Sequence, residues 1–104
     1  MSKIDELIAE HVLEWRKEGS KWKDASGTPV ELPRFSEDIA AAWTVVDPIC
    51  DRGFRLQLEG GRLWRAKFYK SMAHTLETNA FAGTAGNAPE AICKAALAVK
   101  GVSV

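Results

Sequence analysis

His11, His74, Cys50 and Cys93 are the residues of this 104-residue chain with the widest range of chemistry open to them. A zinc site would need close ligand pairs such as Cys-x2-Cys, and none of their separations is of that kind. Both cysteines fall on apolar helical or helix-terminal positions, where a thiol packs as a small hydrophobe. Two isolated cysteines are expected as free thiols in a reducing cytoplasm. No serine, histidine and acid share a local signature of nucleophilic catalysis. The many carboxylates near the N-terminus form an exposed stripe with no reason for shifted pKa values. A non-enzymatic chain with no metal and no cofactor is the expectation.

One segment has the layout of an anion site. In "FAGTAGNAPE" (81–90), glycines precede a helix N-terminus, which offers free amides and a positive dipole. A phosphate loop would also carry Lys-Ser or Lys-Thr, which is missing, and Glu90 in the first turn would repel a phosphate. The segment reads as a flexible loop followed by a cap.

Charge supplies the stronger candidate. The formal total is zero, but residues 1–51 hold six Lys or Arg against eleven Asp or Glu, net −5. Residues 52–70 hold Arg52, Arg55, Arg62, Arg65, Lys67 and Lys70 against Glu59 alone, net +5. Such asymmetry marks either a surface for nucleic acid or an acidic partner, or two segments that neutralise each other within one fold. The second reading is favoured. The face that would do the binding carries Arg55, Arg65, Lys67 and Tyr69. Cations track phosphates and rings stack bases, although one ring is thin for a stacking platform. Trp22, in a polar connection, reads as a ring folded over the core edge, with ligand stacking as the alternative.

The elements that position these residues follow from periodicity. Ile4, Leu7, Ile8, Val12 and Trp15 share one face of a first helix, with Ser2 and Asp5 as a capping box and Arg16 and Lys17 ahead of a stop at Gly19. Glu6, Glu10, Glu14 and Glu18 lie four apart on the opposite face and repel, a load the basic 52–70 segment could offset. "DASG" (24–27) has turn chemistry. Ser36 is the expected cap of a second helix, with Ile39, Trp43 and Val46 as its buried stripe and Pro48 ending or kinking it near Asp47.

"FRLQLEGGRLWRAKFYK" (54–70) alternates as a β-hairpin. A two-residue Gly60-Gly61 turn would set Leu56 opposite Arg65. An odd loop keeps Phe54, Leu56 and Leu58 on one face with Trp64, Ala66 and Phe68. A three-residue loop, Glu59-Gly60-Gly61, with Gly61 left-handed at a bulge, is expected. A third strand could run from His74 to Phe81. Asn87 then caps a last helix, with Glu90 three residues on, Pro89 in its first turn and Gly101 at its end. Its few polar positions imply burial around much of its girth, against the sheet. The chain thus reads as a single domain over residues 1–104, α+β, with three helices around a short antiparallel sheet. No apolar run approaches the roughly 18–20 residues of a membrane span.

The order of W-K-D-x-x-G (22–27), FSEDIAAAWTVVD (35–47), a basic hairpin with a Trp, and APEAICKAALAVKG (88–101) resembles the phage ABA sandwich domain, a family of small phage and prophage proteins. The most specific positions are Ser36, Asp38-Ile39-Ala40, Ala42-Trp43, Val45-Val46, Ala88-Pro89, Ala91-Ile92-Cys93 and Ala95-Ala96-Leu97. Pro48 departs from the charged helical residue expected there, and the stretch from Leu76 to Gly86 is longer than usual. The resemblance implies an α/β/α sandwich and supplies no catalytic residue. It implies a phage accessory protein of the host bacterial cytoplasm, which the charge pattern suggests acts by binding a host or phage protein, self-association included. Nucleic-acid or nucleotide binding through the 52–70 hairpin is the alternative.

Overall fold

The structure is a computed structural model that describes residues 3–71 and 78–102. Three helices and two antiparallel three-stranded sheets make up the fold. Helix α1 (Lys3–Leu7) continues as a π-helical stretch over Ile8–Val12. The helix therefore stops well short of Gly19. Leu13 N donates to Ile8 O (3.1 Å), Trp15 N donates to Ala9 O (2.8 Å), and Glu14 takes a left-handed φ of 59°. This exit carries Trp15 onto Phe35, with ring centroids 6.0 Å apart. Tertiary packing wins over a helix whose next turns would have added Glu14 and Glu18 to a line of like charges.

The stretch read as a polar connection folds into a small sheet, β1 (Arg16–Glu18), β2 (Lys21–Lys23) and β3 (Pro29–Val30). Asp24 builds the expected turn. Its Oδ1 accepts from Ser26 N, Thr28 N and Ser26 Oγ at 2.9, 2.9 and 2.6 Å, and Gly27 supplies a φ of 86°. The acids of the N-terminal segment find cations in this sheet, Lys17 with Glu6 (3.3 Å) and Lys23 with Glu18 (2.9 Å), instead of in the basic hairpin.

Helix α2 (Ile39–Cys50) is capped by Asp38, whose Oδ1 accepts from Ala40 N at 2.9 Å. Ser36 is not the cap. It is buried in the preceding turn, where its N–H donates to buried Asp5 Oδ1 at 2.8 Å. The inward stripe is Ala42, Val45, Val46 and Ile49, while Ile39 (43%) and Trp43 (47%) remain exposed. The expected stripe thus keeps only Val46. A compact β-branched arc fits against alanine-rich α3, which leaves the bulky indole outside. Pro48 lies in the last turn, so the helix forgoes one bond, to exposed Thr44, and runs on to Cys50, with Asp51 N closing on Asp47 O at 2.9 Å.

The second sheet has the order β4 (Arg55–Glu59), β5 (Trp64–Ser71), β6 (Thr78–Ala85). Leu56 opposes Phe68 and Leu58 opposes Ala66, so the apolar sets share a face as parity requires. The last β4–β5 rung is Glu59–Arg65, so the loop spans Gly60–Trp64, odd as parity requires but longer than the three residues expected, and Gly61 is not left-handed. A Cβ on Gly60 would lie 2.8 Å from Trp64 ring carbons, so the indole occupies the space above the turn. The third strand exists and is described over Thr78–Ala85; the His74–Glu77 part of its expected range lies outside the described residues.

Helix α3 (Ala88–Val99) matches its reading closely. Asn87 Oδ1 accepts from Glu90 N at 2.8 Å, Pro89 sits in the first turn and Gly101 follows at φ 75°. It packs on β5 and β6 on one side and on α1, the π stretch and α2 on the other. Pro89, Ala91, Ile92, Cys93, Ala95, Ala96 and Leu97 are all buried. Burial of a side chain the size of Ile92 or Leu97 contributes about 1.5–3 kcal/mol.

Gly83 sets the approach of α3 to the sheet. A Cβ there would fall 2.5 Å from Ala95 N and 2.6 Å from Ala91 O and Lys94 Cβ. The "AGTAG" stretch is therefore mostly strand, pressed against helix backbone, and not a flexible loop.

Candidate binding surface

The strand alternation that sends Leu56, Leu58, Ala66 and Phe68 toward α3 turns their neighbours outward. Register then arranges the outer face in three rows across β4, β5 and β6: Arg55–Tyr69–Ala80, Gln57–Lys67–Ala82 and Glu59–Arg65–Thr84. Arg55, Arg65, Lys67 and Tyr69 are thus brought onto one surface. Lys67 Nζ lies 5.9 Å from the Tyr69 ring centroid, and Gln57 Nε2 donates to Glu59 Oε1 at 3.0 Å. No ion pair among the described residues involves Arg55, Arg65 or Lys67; those formed are Lys17–Glu6, Lys23–Glu18, Arg34–Glu37 and Lys94–Glu90. Gln57, Glu59, Arg65 and Lys67 enclose a hollow of about 30 Å3. That admits little more than a water molecule. The face suits contact with a broad surface, not capture of a small molecule.

Trp22 does not join it. The ring is 5% exposed, its strand pairs Trp22 with Val30, and Lys17 Nζ stands 6.0 Å from its centroid. Alternation in β2 turns the indole to the core between Lys21 and Lys23, in keeping with a ring folded over the core edge.

A depression of about 690 Å3 lies beside the first sheet and is rimmed by Glu10, Glu14, Glu18, Asp24, Arg16 and Lys23. Two of its carboxylates, Glu18 and Asp24, are already engaged. The hydrogen bond and charge of Lys23 hold Glu18 below the usual carboxylate range, and bonds from Ser26 and Thr28 do the same for Asp24. Cys93 is fully buried, and desolvation, aided by Asp5 and Glu90, pushes its thiol up to about 12. A thiol of that kind is a packing group, not a nucleophile. Cys50 is also raised, chiefly by burial. Both cysteines are free, and no group of three potential metal ligands occurs among the described residues.

A second surface feature escaped the sequence reading. Ile39 and Trp43, one helical turn apart, form an exposed apolar pair with Glu37 and Asp38 before it and Asp47 and Asp51 after it. A signal was present: residues 35–51 contain four acids and no Lys or Arg. An amphipathic stripe that has to be buried needs no such one-signed frame.

Comparison with known proteins agrees with this architecture. A family model described as the phage ABA sandwich domain matches residues 6–97. A phage protein from Bacillus cereus ATCC 14579, solved by crystallography at 2.0 Å, superposes with a TM-score of 0.76 over 100% of this chain and 92% of that one. The two are 21% identical, so the likeness is one of fold. No curated protein matches the chain. No helix among the described residues is long and apolar enough to cross a membrane.

Proposed function

The chain belongs to the phage ABA sandwich domain family, and from that premise we propose a phage accessory protein that works in the host cytoplasm by binding another protein, without catalysis. The contact is the outer face of the β4–β6 sheet, and the partner is a host or phage protein with an acidic surface. One observation carries the reading. The inner face of this sheet is covered by α3, while the outer face presents Arg55, Arg65, Lys67 and Tyr69 with no ion pair among the described residues to satisfy the cations. Arg and Tyr are also the residue types enriched where interfaces concentrate their binding energy.

Arg65→Glu combined with Lys67→Glu is expected to abolish capture of partner protein by the immobilised chain and to leave its thermal unfolding unchanged. Undiminished capture by the double variant overturns the assignment.

Three cations beside a ring on an open sheet also favour a second reading, single-stranded nucleic acid. Against it stand the single ring and the presence of Glu59 within the same face. That reading requires affinity to fall with salt at about 0.7 logarithmic units per phosphate contact. Fluorescence anisotropy with a labelled oligonucleotide at two salt concentrations decides it; absent or salt-independent binding removes nucleic acid.

A further inference from the structure

Among the described residues two surfaces lack a covering layer, and they are complementary to each other. On α2, Ile39 (43% exposed) and Trp43 (47% exposed) form an apolar ridge framed by Glu37, Asp38, Asp47 and Asp51. On the sheet, Arg55, Arg65 and Lys67 stand beside a low strip of small residues, Ala80, Ala82 and Thr84, on edge strand β6. We infer that this chain assembles head to tail, with the Ile39–Trp43 ridge of α2 seated on the outer face of the β4–β6 sheet of a second copy. The inference rests on the reading of that face as a protein-binding surface, and it names the acidic partner as another copy of the chain.

Charge is the first argument. Segment 35–51 holds four acids and no base, and the outer sheet face holds three cations against Glu59. Two copies stacked this way bring opposite signs together, whereas α2 against α2 or sheet against sheet brings like signs together, which costs several kcal/mol.

Shape is the second argument. Residues four apart on a helix advance ~6 Å, and alternate residues on a strand advance ~6.7 Å. Ile39 and Trp43 can therefore sit over Ala80 and Ala82 in step, with Ile39 beside Tyr69 and the Trp43 ring beside Lys67 on β5. Asp47, one turn further along the helix line, then comes level with Arg65 in the Thr84 row.

The geometry of the contact fixes the kind of assembly. The two patches are different, so the contact is heterologous and each copy keeps one free ridge and one free face, giving rings or chains instead of a closed symmetric pair.

Complementary variants test this with light scattering coupled to size exclusion. Wild type is expected to form species larger than a monomer that dissociate in high salt. Ile39→Ser with Trp43→Ser disables the ridge, and Arg65→Glu with Lys67→Glu disables the face; each is expected to be monomeric alone. Mixed in equal amounts they regain one intact contact and stop at a dimer. Circular dichroism checks that both are folded, and Arg65→Gln with Lys67→Gln serves if the charge reversal unfolds the chain. A wild type that stays monomeric, a single-face variant that assembles as wild type does, or a mixture that remains monomeric overturns the inference. A monomer that still captures another protein through Arg65 and Lys67 leaves the binding face standing. Assembly and capture that both ignore the sheet variants remove both.

Discussion

Helices α2 and α3 are each twelve residues long, and each is capped by a short acid or amide that accepts from its own first turn. Their surroundings differ. α3 has neighbours on opposite sides and buries seven residues; α2 has its main neighbour on one side and buries four. The difference teaches that side-chain size alone does not choose the face a helix buries. α3 offers a surface of alanines to α2, and the face that fits it is Ala42, Val45, Val46 and Ile49, not the one bearing the largest ring.

The comparison breaks most decisively at Gly83. Gly83→Val should push α3 off the sheet, because even a Cβ would meet helix backbone at 2.5 Å. The loss should reach or exceed the upper part of the usual overpacking range of about 1–3 kcal/mol. For a chain of this size that lowers the melting temperature by about 12 °C or more, and a calorimetric scan within a few degrees of wild type would refute the close approach. Trp43→Ala gives the other extreme. Measured on dilute monomer, it should alter stability by less than about 0.5 kcal/mol, the usual range for a surface site. A cost of several kcal/mol would return Trp43 to the core and equalise the two helices.

What could be read from sequence was what depends on neighbours in sequence. The Asn87 cap, Glu90, Pro89 and the Gly101 stop all act within one helical turn, and α3 follows them. Alternation placed Arg55, Arg65, Lys67 and Tyr69 on a common face because period two survives any even change of register. The misreadings share a different cause. Trp43, expected in the buried stripe, stands exposed, since the side of a ring that becomes covered depends on residues far along the chain. Ser36 has the chemistry of a cap, but a carboxylate 31 positions away, on Asp5, takes its amide. Gly83 reads as a loop glycine until a helix is seen across it. The early end of α1 is likewise set by Phe35, which Trp15 has to reach.

The two-residue joint Gly86–Asn87 between β6 and α3 bears on how the chain folds. Strands β5 and β6 and then α3 each pack on the element just before them in sequence, so these contacts close short loops at small entropic cost. The N-terminal helix must be recruited over a far longer span to reach the same core. Order of formation should mirror this, with the carboxyl half as nucleus and residues 3–30 joining late. Native-state hydrogen exchange would register it as amides of 88–99 that open only with the whole molecule, and amides of 16–30 that open before it.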